Sequence, residues 1–192
     1  MTIDKLTHSF KLIDKANSED PNVELCQGEE YPKELLYSLR MTNTLNSFYP
    51  EAGQALQVAA RCQHICRWQI PRNSYEMNRA GYLTWRRELN KFHANKAAEI
   101  LPHLENDVIN EVQRLILKAD IKKDADSQTL EDVVCLVFLE FYFADFAAKH
   151  TDEKVIRILQ KTWRKMSEKA HAAALKLNFD EGSKTLITTA LS

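Results

Sequence analysis

Glycine and proline are scarce, four and five in 192 residues, and together they make about 5% of the chain where ~12% is average. That shortage excludes collagen-like repeats and turn-rich all-β folds, and it argues against disorder. An excess of one charge is also missing. The formal net charge is −1, which excludes binding of nucleic acid or an anionic membrane by bulk charge alone. Long apolar runs are missing too: the longest, Val133 to Ala144, is interrupted at Glu140 and falls well short of the ~20 residues of a spanning helix. Residues 1–14 mix charged and apolar side chains and read as neither secretory signal nor anchor. A cytoplasmic protein without a membrane partner is expected. The four cysteines, Cys26, Cys62, Cys66 and Cys135, form no CxxC pair, and in that compartment they are expected reduced. Cys62 and Cys66 stand one helical turn apart, and buried thiols on a core face are preferred to half a zinc site. A glycine-rich phosphate loop, a GxSxG elbow and an HExxH pair are absent.

What is present is helical periodicity along the whole chain. Ile3, Leu6, Phe10 and Ile13 share one face of a helix ending at Asn17, and Ser18–Asn22 is a stop followed by a polar loop. A second helix opens at Pro32, whose fixed φ suits a first turn, and runs to Tyr49. Further helices are predicted over residues 51–68, 78–101 and 105–119, the third closed by Ile70-Pro71 and the fourth by Pro102. After a polar connection at 121–128, Thr129 and Asp132 resemble a capping box for a very apolar helix reaching His150. A last stretch, 152–177, breaks near Ser167, and residues 181–192 read as a frayed tail. The expectation is one compact all-α domain of about seven helices over residues 1–180, a length able to bury about 70% of its unfolded surface.

Three polar side chains fall on faces that this periodicity assigns to the core. Glu140 lies among Val, Leu and Phe residues with Leu136 and Ala144 one turn away, where a bare carboxylate costs several kcal/mol. A buried ion pair or a protonated carboxyl bonded to backbone is the structural alternative to a site. His64 lies on the face of Leu56, Ala60 and Trp68, and His93 on that of Leu89, Ala97 and Ile100. Each alone suits a hydrogen-bonded core histidine, but two imidazoles and a carboxylate from three helices also match a three-ligand site for Zn, Fe or Mn. Charge is concentrated in the same region. Between Arg61 and Lys96 eight cations face only Glu76 and Glu88, an excess of six, so the rest of the chain carries seven net negative charges. Arg67-Trp68 and Trp85-Arg86-Arg87 set guanidinium groups beside indoles, a pairing able to grip phosphate and stack a base. The segment favours an anionic ligand; for any single arginine a solvated helix face is the plainer reading.

The runs Tyr37-Ser-Leu-Arg-Met, Leu56 to Ile65 with its Gln63-His64, His93 to Leu101, and Cys135 to Glu140 resemble the helical core of HD-domain phosphohydrolases over roughly residues 33–150. Within that superfamily the chain resembles an uncharacterised domain-of-unknown-function group marked by a QHIxRWxIPR stretch, here Gln63 to Arg72, and a TLEDxxCLVFLE stretch, here Thr129 to Glu140. The superfamily resemblance implies one or two metals that activate water against a phosphate ester. The ligand pattern departs from it. Tyr37 stands at the first histidine, Gln63-His64 at the His-Asp doublet, Lys118 near a later histidine and Glu140 at the last aspartate, while His93 falls where many members carry a further histidine. What the resemblance leaves is a His64, His93 and Glu140 metal site, or a metal-free pocket in which Glu140 pairs with Lys118 or an imidazole.

Three functions are therefore expected in order. The first is an HD-like hydrolase of a small phosphorylated or nucleotide-like anion, with Mn, Fe or Zn on His64, His93 and Glu140, and with Arg67, Arg72, Lys118, Tyr37 and Gln63 against the substrate. The second is a module that binds an anionic metabolite, nucleotide or RNA without chemistry. The last is an iron-dependent oxygenase, which needs more ligands than the sequence offers.

Overall fold

The computed structural model describes residues 3–119, 121 and 123–192. Met1, Thr2, Asp120 and Lys122, the last two beside or within the expected polar connection, lie outside the described residues. The all-α expectation holds: the described residues form ten α-helices and one short hairpin. None of these helices is long and apolar enough to cross a membrane. The chain divides into two compact units, Met1–Asp120 and Ile121–Ser192.

The first unit contains α1 (Ile3–Asn17), β1 (Val23–Cys26), β2 (Glu29–Pro32), α2 (Lys33–Phe48), α3 (Gln54–Arg61), α4 (Arg79–Ile100) and α5 (Asn106–Ile116). Helix α5 packs on α3 and α4, and α3 also packs on α1 and α2. Ile13, Met41, Leu45, Leu56, Ile65, Leu89, Leu115 and Ile116 fill the core between them. Arg61, expected within the basic segment, is buried and bidentate to Asp14 at 2.8 and 2.7 Å, with Phe10 beneath its guanidinium. It joins α3 to α1 and leaves the surface charge to its neighbours.

The hairpin replaces part of the expected loop. Its two-residue turn has Gln27 at φ 54° and Gly28 at φ 87°, the doubly positive pattern that matches the right-handed twist of paired strands. With only four residues per strand and Gln-Gly in place of Asn-Gly, its signal in the sequence is weak. The hairpin delivers Pro32 to the start of α2, where Lys33 N–H donates to the Asn22 carbonyl at 2.9 Å.

Helix α3 is shorter than its periodicity predicts. It ends at Arg61, and the chain turns through Cys66 at φ 50° before a 3₁₀ turn at Arg67–Gln69. Two buried hydrogen bonds hold that turn: Cys66 N–H donates to Asn17 Oδ1 at 3.0 Å, and His93 Nδ1 donates to the Ile65 carbonyl at 2.7 Å. Tertiary partners here outweigh the helical propensity of an Ala-rich segment. Cys62 and Cys66 are both buried free thiols, as expected, and burial pushes the Cys66 thiol up to about 11.

The second unit contains α6 (Ala125–Val137), a π-helical stretch at Phe138–Tyr142, α7 (Phe143–Ala147), α8 (Asp152–Trp163), α9 (Glu168–Ala174) and α10 (Glu181–Leu191). Helix α6 starts four residues before the expected Thr129 cap, because Asp124 accepts from Ser127 N–H at 2.7 Å. Asp132 instead accepts from Ser167 N–H at 2.8 Å and from Ser167 Oγ at 2.5 Å, tying α6 to the start of α9. The break at Ser167 is present, with Ser167 capping α9. In place of a frayed tail, Asp180 caps α10, which packs on α8.

Candidate functional site

The cluster around His64 is built from α2, the turn after α3, and α4. On α2, Glu34 and Tyr37 are three positions apart and share a face. Glu34 lies in the first turn, and its N–H donates to Asp20 Oδ2 at 3.0 Å. His64 stacks on Tyr37, with ring centroids 4.0 Å apart and planes 13° from parallel. Its Nδ1 lies 3.4 Å from Glu34 Oε2. Arg67 Nη1 is 3.2 Å from His64 Nδ1 and 3.4 Å from Nε2, and its guanidinium lies over Trp85 at 5.2 Å. Trp85 is itself fixed by donating to the Ile70 carbonyl at 2.9 Å. His93, one turn beyond Leu89 on α4, brings its ring centroid to 6.0 Å from that of His64.

Burial and charge set the protonation of these groups. The Glu34 side chain is 8% exposed; burial raises its carboxyl to about 7, with Arg67 opposing and Asp20 reinforcing the rise. Burial holds the His64 imidazole well below its usual range, and Arg67, Arg86, Lys118 and Lys33 depress it further. His93 is carried down to about 3 by burial and then by His64. Both imidazoles are therefore neutral at pH 7, beside a carboxyl that titrates there. His64 keeps 17% side-chain exposure, so the cluster is open to solvent at that ring.

Tyr37, His64, Arg67 and His93 thus lie together, and Lys118 acts on the same imidazole. Gln63 is buried beside His64 in the chain, and its Oε1 has no hydrogen-bond partner. Glu34 is the member that sequence reasoning passed over. The available signal was its position one helical turn before Tyr37, on the same face.

Two expected members, Arg72 and Glu140, differ from the expectation. Arg72 spends its guanidinium on the carbonyls of Tyr75, Glu76 and Asn78 at 3.1, 2.6 and 3.2 Å, so it holds the loop leading into α4. That loop passes so close to α4 that a side chain at Gly81 would collide with the Glu76 carbonyl. Glu140, expected inward, is exposed and belongs to the second unit. The cause is the π-helical stretch: one extra residue in the turn shifts the face, so that Leu139 and Phe143 are buried while Glu140 reaches the surface.

A metal was expected on His64, His93 and Glu140. His93 alone has the disposition of a metal-binding imidazole, with one nitrogen donating to a carbonyl. Among the described residues, however, no group of three or more His, Cys, Asp or Glu side chains is arranged to hold a metal ion. The four cations acting on His64 also oppose a dication and attract an anion. The expected three-ligand set is thus not assembled among the described residues.

No curated protein and no solved structure matches the chain. The pattern of one family extends over residues 7–187, both units included, and the chain therefore belongs to the family of DUF4202, a domain of unknown function.

Proposed function

We propose that the Met1–Asp120 unit binds a small phosphorylated or nucleotide-like anion at the Tyr37, His64, Arg67 and His93 cluster, with Lys118 and Arg86 completing its positive field. The observation that carries this reading is Arg67, whose guanidinium lies 3.2 Å from Nδ1 of the partly exposed His64 and over the Trp85 ring, in a positive field to which Arg86, Lys118 and Lys33 add. Cations gathered around a group that cannot itself be anionic leave a place for an incoming negative charge, and a guanidinium is the side chain best shaped for phosphate. Glu34 does not cancel that field, because it shares its proton near neutral pH. The resemblance to HD-domain phosphohydrolases, drawn on Tyr37, Gln63-His64 and His93, points to the same class of ligand.

Calorimetric titration with ribose 5-phosphate tests the reading. Saturable binding is expected, weaker as salt screens the cluster, and at least tenfold weaker in Arg67→Ala. Affinity unchanged in both Arg67→Ala and Lys118→Ala would remove the basis of the proposal.

A further inference from the structure

One ring nitrogen of His93 is committed. Nδ1 lies 2.7 Å from the Ile65 carbonyl, an oxygen that can only accept, so Nδ1 carries the proton and Nε2 presents a lone pair. Nε2 is buried and has no hydrogen-bond partner among the described residues. Gln63 Oε1, from the residue preceding His64, is buried and bare in the same way. The two side chains are 1% and 3% exposed as residues. A buried polar atom without a partner costs roughly 1–3 kcal/mol, and both of these atoms are acceptors. What would relieve them is a donor.

The surroundings decide which donor. Arg67 Nη1 lies 3.2 Å from His64 Nδ1 and acts on both imidazoles, with the Glu34 carboxyl opposing it in part, so an ammonium group would meet the like charge of Arg67. A hydroxyl or an uncharged N–H meets none. Resting on the anion-binding reading above, we infer that the ligand carries hydroxyl or neutral N–H groups as well as its phosphate: a phosphorylated polyol, sugar or nucleoside that donates to His93 Nε2 and Gln63 Oε1 while its phosphate faces the cations. A phosphate ester with no donor on its organic part leaves both acceptors bare and binds by charge alone.

The test compares ribose 5-phosphate with n-pentyl phosphate, esters of equal charge and equal carbon count, by calorimetry on the full chain. Ribose 5-phosphate is expected to bind at least tenfold more tightly. The preference should fall to about twofold in His93→Phe, which keeps a ring without an acceptor. Because His93→Phe also frees the Ile65 carbonyl and could unfold the turn, Gln63→Leu is the second variant, expected to lose several-fold of the same preference. Equal binding of the two esters by the unaltered protein overturns the inference and leaves the anion site standing. A preference retained in full by both variants also overturns it, and binding of neither ester overturns both readings.

Discussion

Glu34 shows how one residue couples folding to pH. Its carboxyl titrates near 7 in the folded protein against an ordinary 4.5. A raised folded value means stability that is fully present below pH 4.5 and lost as pH rises through 7, by about 3 kcal/mol at ~1.4 kcal/mol per unit. His93 runs the other way: lowered to about 3, it favours the fold above pH 6.5 and costs stability as pH falls toward 3. Glu34→Gln keeps the shape and removes only the first effect. Relative to the unaltered protein, the variant should therefore gain stability progressively between pH 4.5 and 7 and hold that gain above pH 7, as read by urea denaturation across pH. A stability difference independent of pH would show that folding does not raise the Glu34 carboxyl. In the sequence only its spacing from Tyr37 marked this residue, because its role depends on the hairpin that sets where α2 begins, and because a glutamate in a first helical turn is ordinarily a solvent-facing dipole partner.

At the scale of elements, α5 ends in a turn that bears directly on the site. Leu117 caps the helix, Lys118 N–H donates to the Leu115 carbonyl at 3.0 Å, and Ala119 N–H donates to the Arg114 carbonyl at 3.3 Å. This is a Schellman closure, with Lys118 at φ 59° in the left-handed position that usually belongs to glycine. A lysine pays ~1 kcal/mol or more to sit there, and its charge is among those depressing His64. Lys118→Gly should therefore raise the thermal midpoint while weakening ribose 5-phosphate several-fold. A variant that is more stable and binds equally well would strip Lys118 of any part in the site. The helices themselves were largely legible, since α1, α2, α4, α5 and α8 follow apolar spacing and Pro or Asp punctuation. The end of α3 was not. Asn17 and His93, 49 and 28 residues away from the groups they bind, draw that turn out of the helix, and local periodicity carries no trace of such partners. The same limit applies to Glu140, whose face depends on one π turn.

Over the whole molecule the near-zero net charge is a balance struck within one unit. The segment 121–192 carries eleven acidic and eleven basic residues, so the excess of six positive charges between Arg61 and Lys96 is offset by the remaining residues of the first unit. Part of that excess is engaged within the protein: Arg61 with Asp14, Arg72 with loop carbonyls and Lys96 with Glu99. Arg67 lies against the His64 ring, 3.2 Å from Nδ1. The region of the site was thus legible as a charge pattern, and Tyr37, His64 and His93 as its members. Which cations count required the hydrogen bonds.

The most direct measurement is nitrogen-15 NMR of the histidine rings at pH 7 while ribose 5-phosphate is added to the full chain. Before addition, His64 and His93 should both be neutral, with His93 protonated on Nδ1. Addition should then shift both rings saturably and leave His150 and His171 unmoved. Charged His64 or His93 in the free protein, or rings that do not respond at saturating ligand, would contradict an anion site built on these two imidazoles.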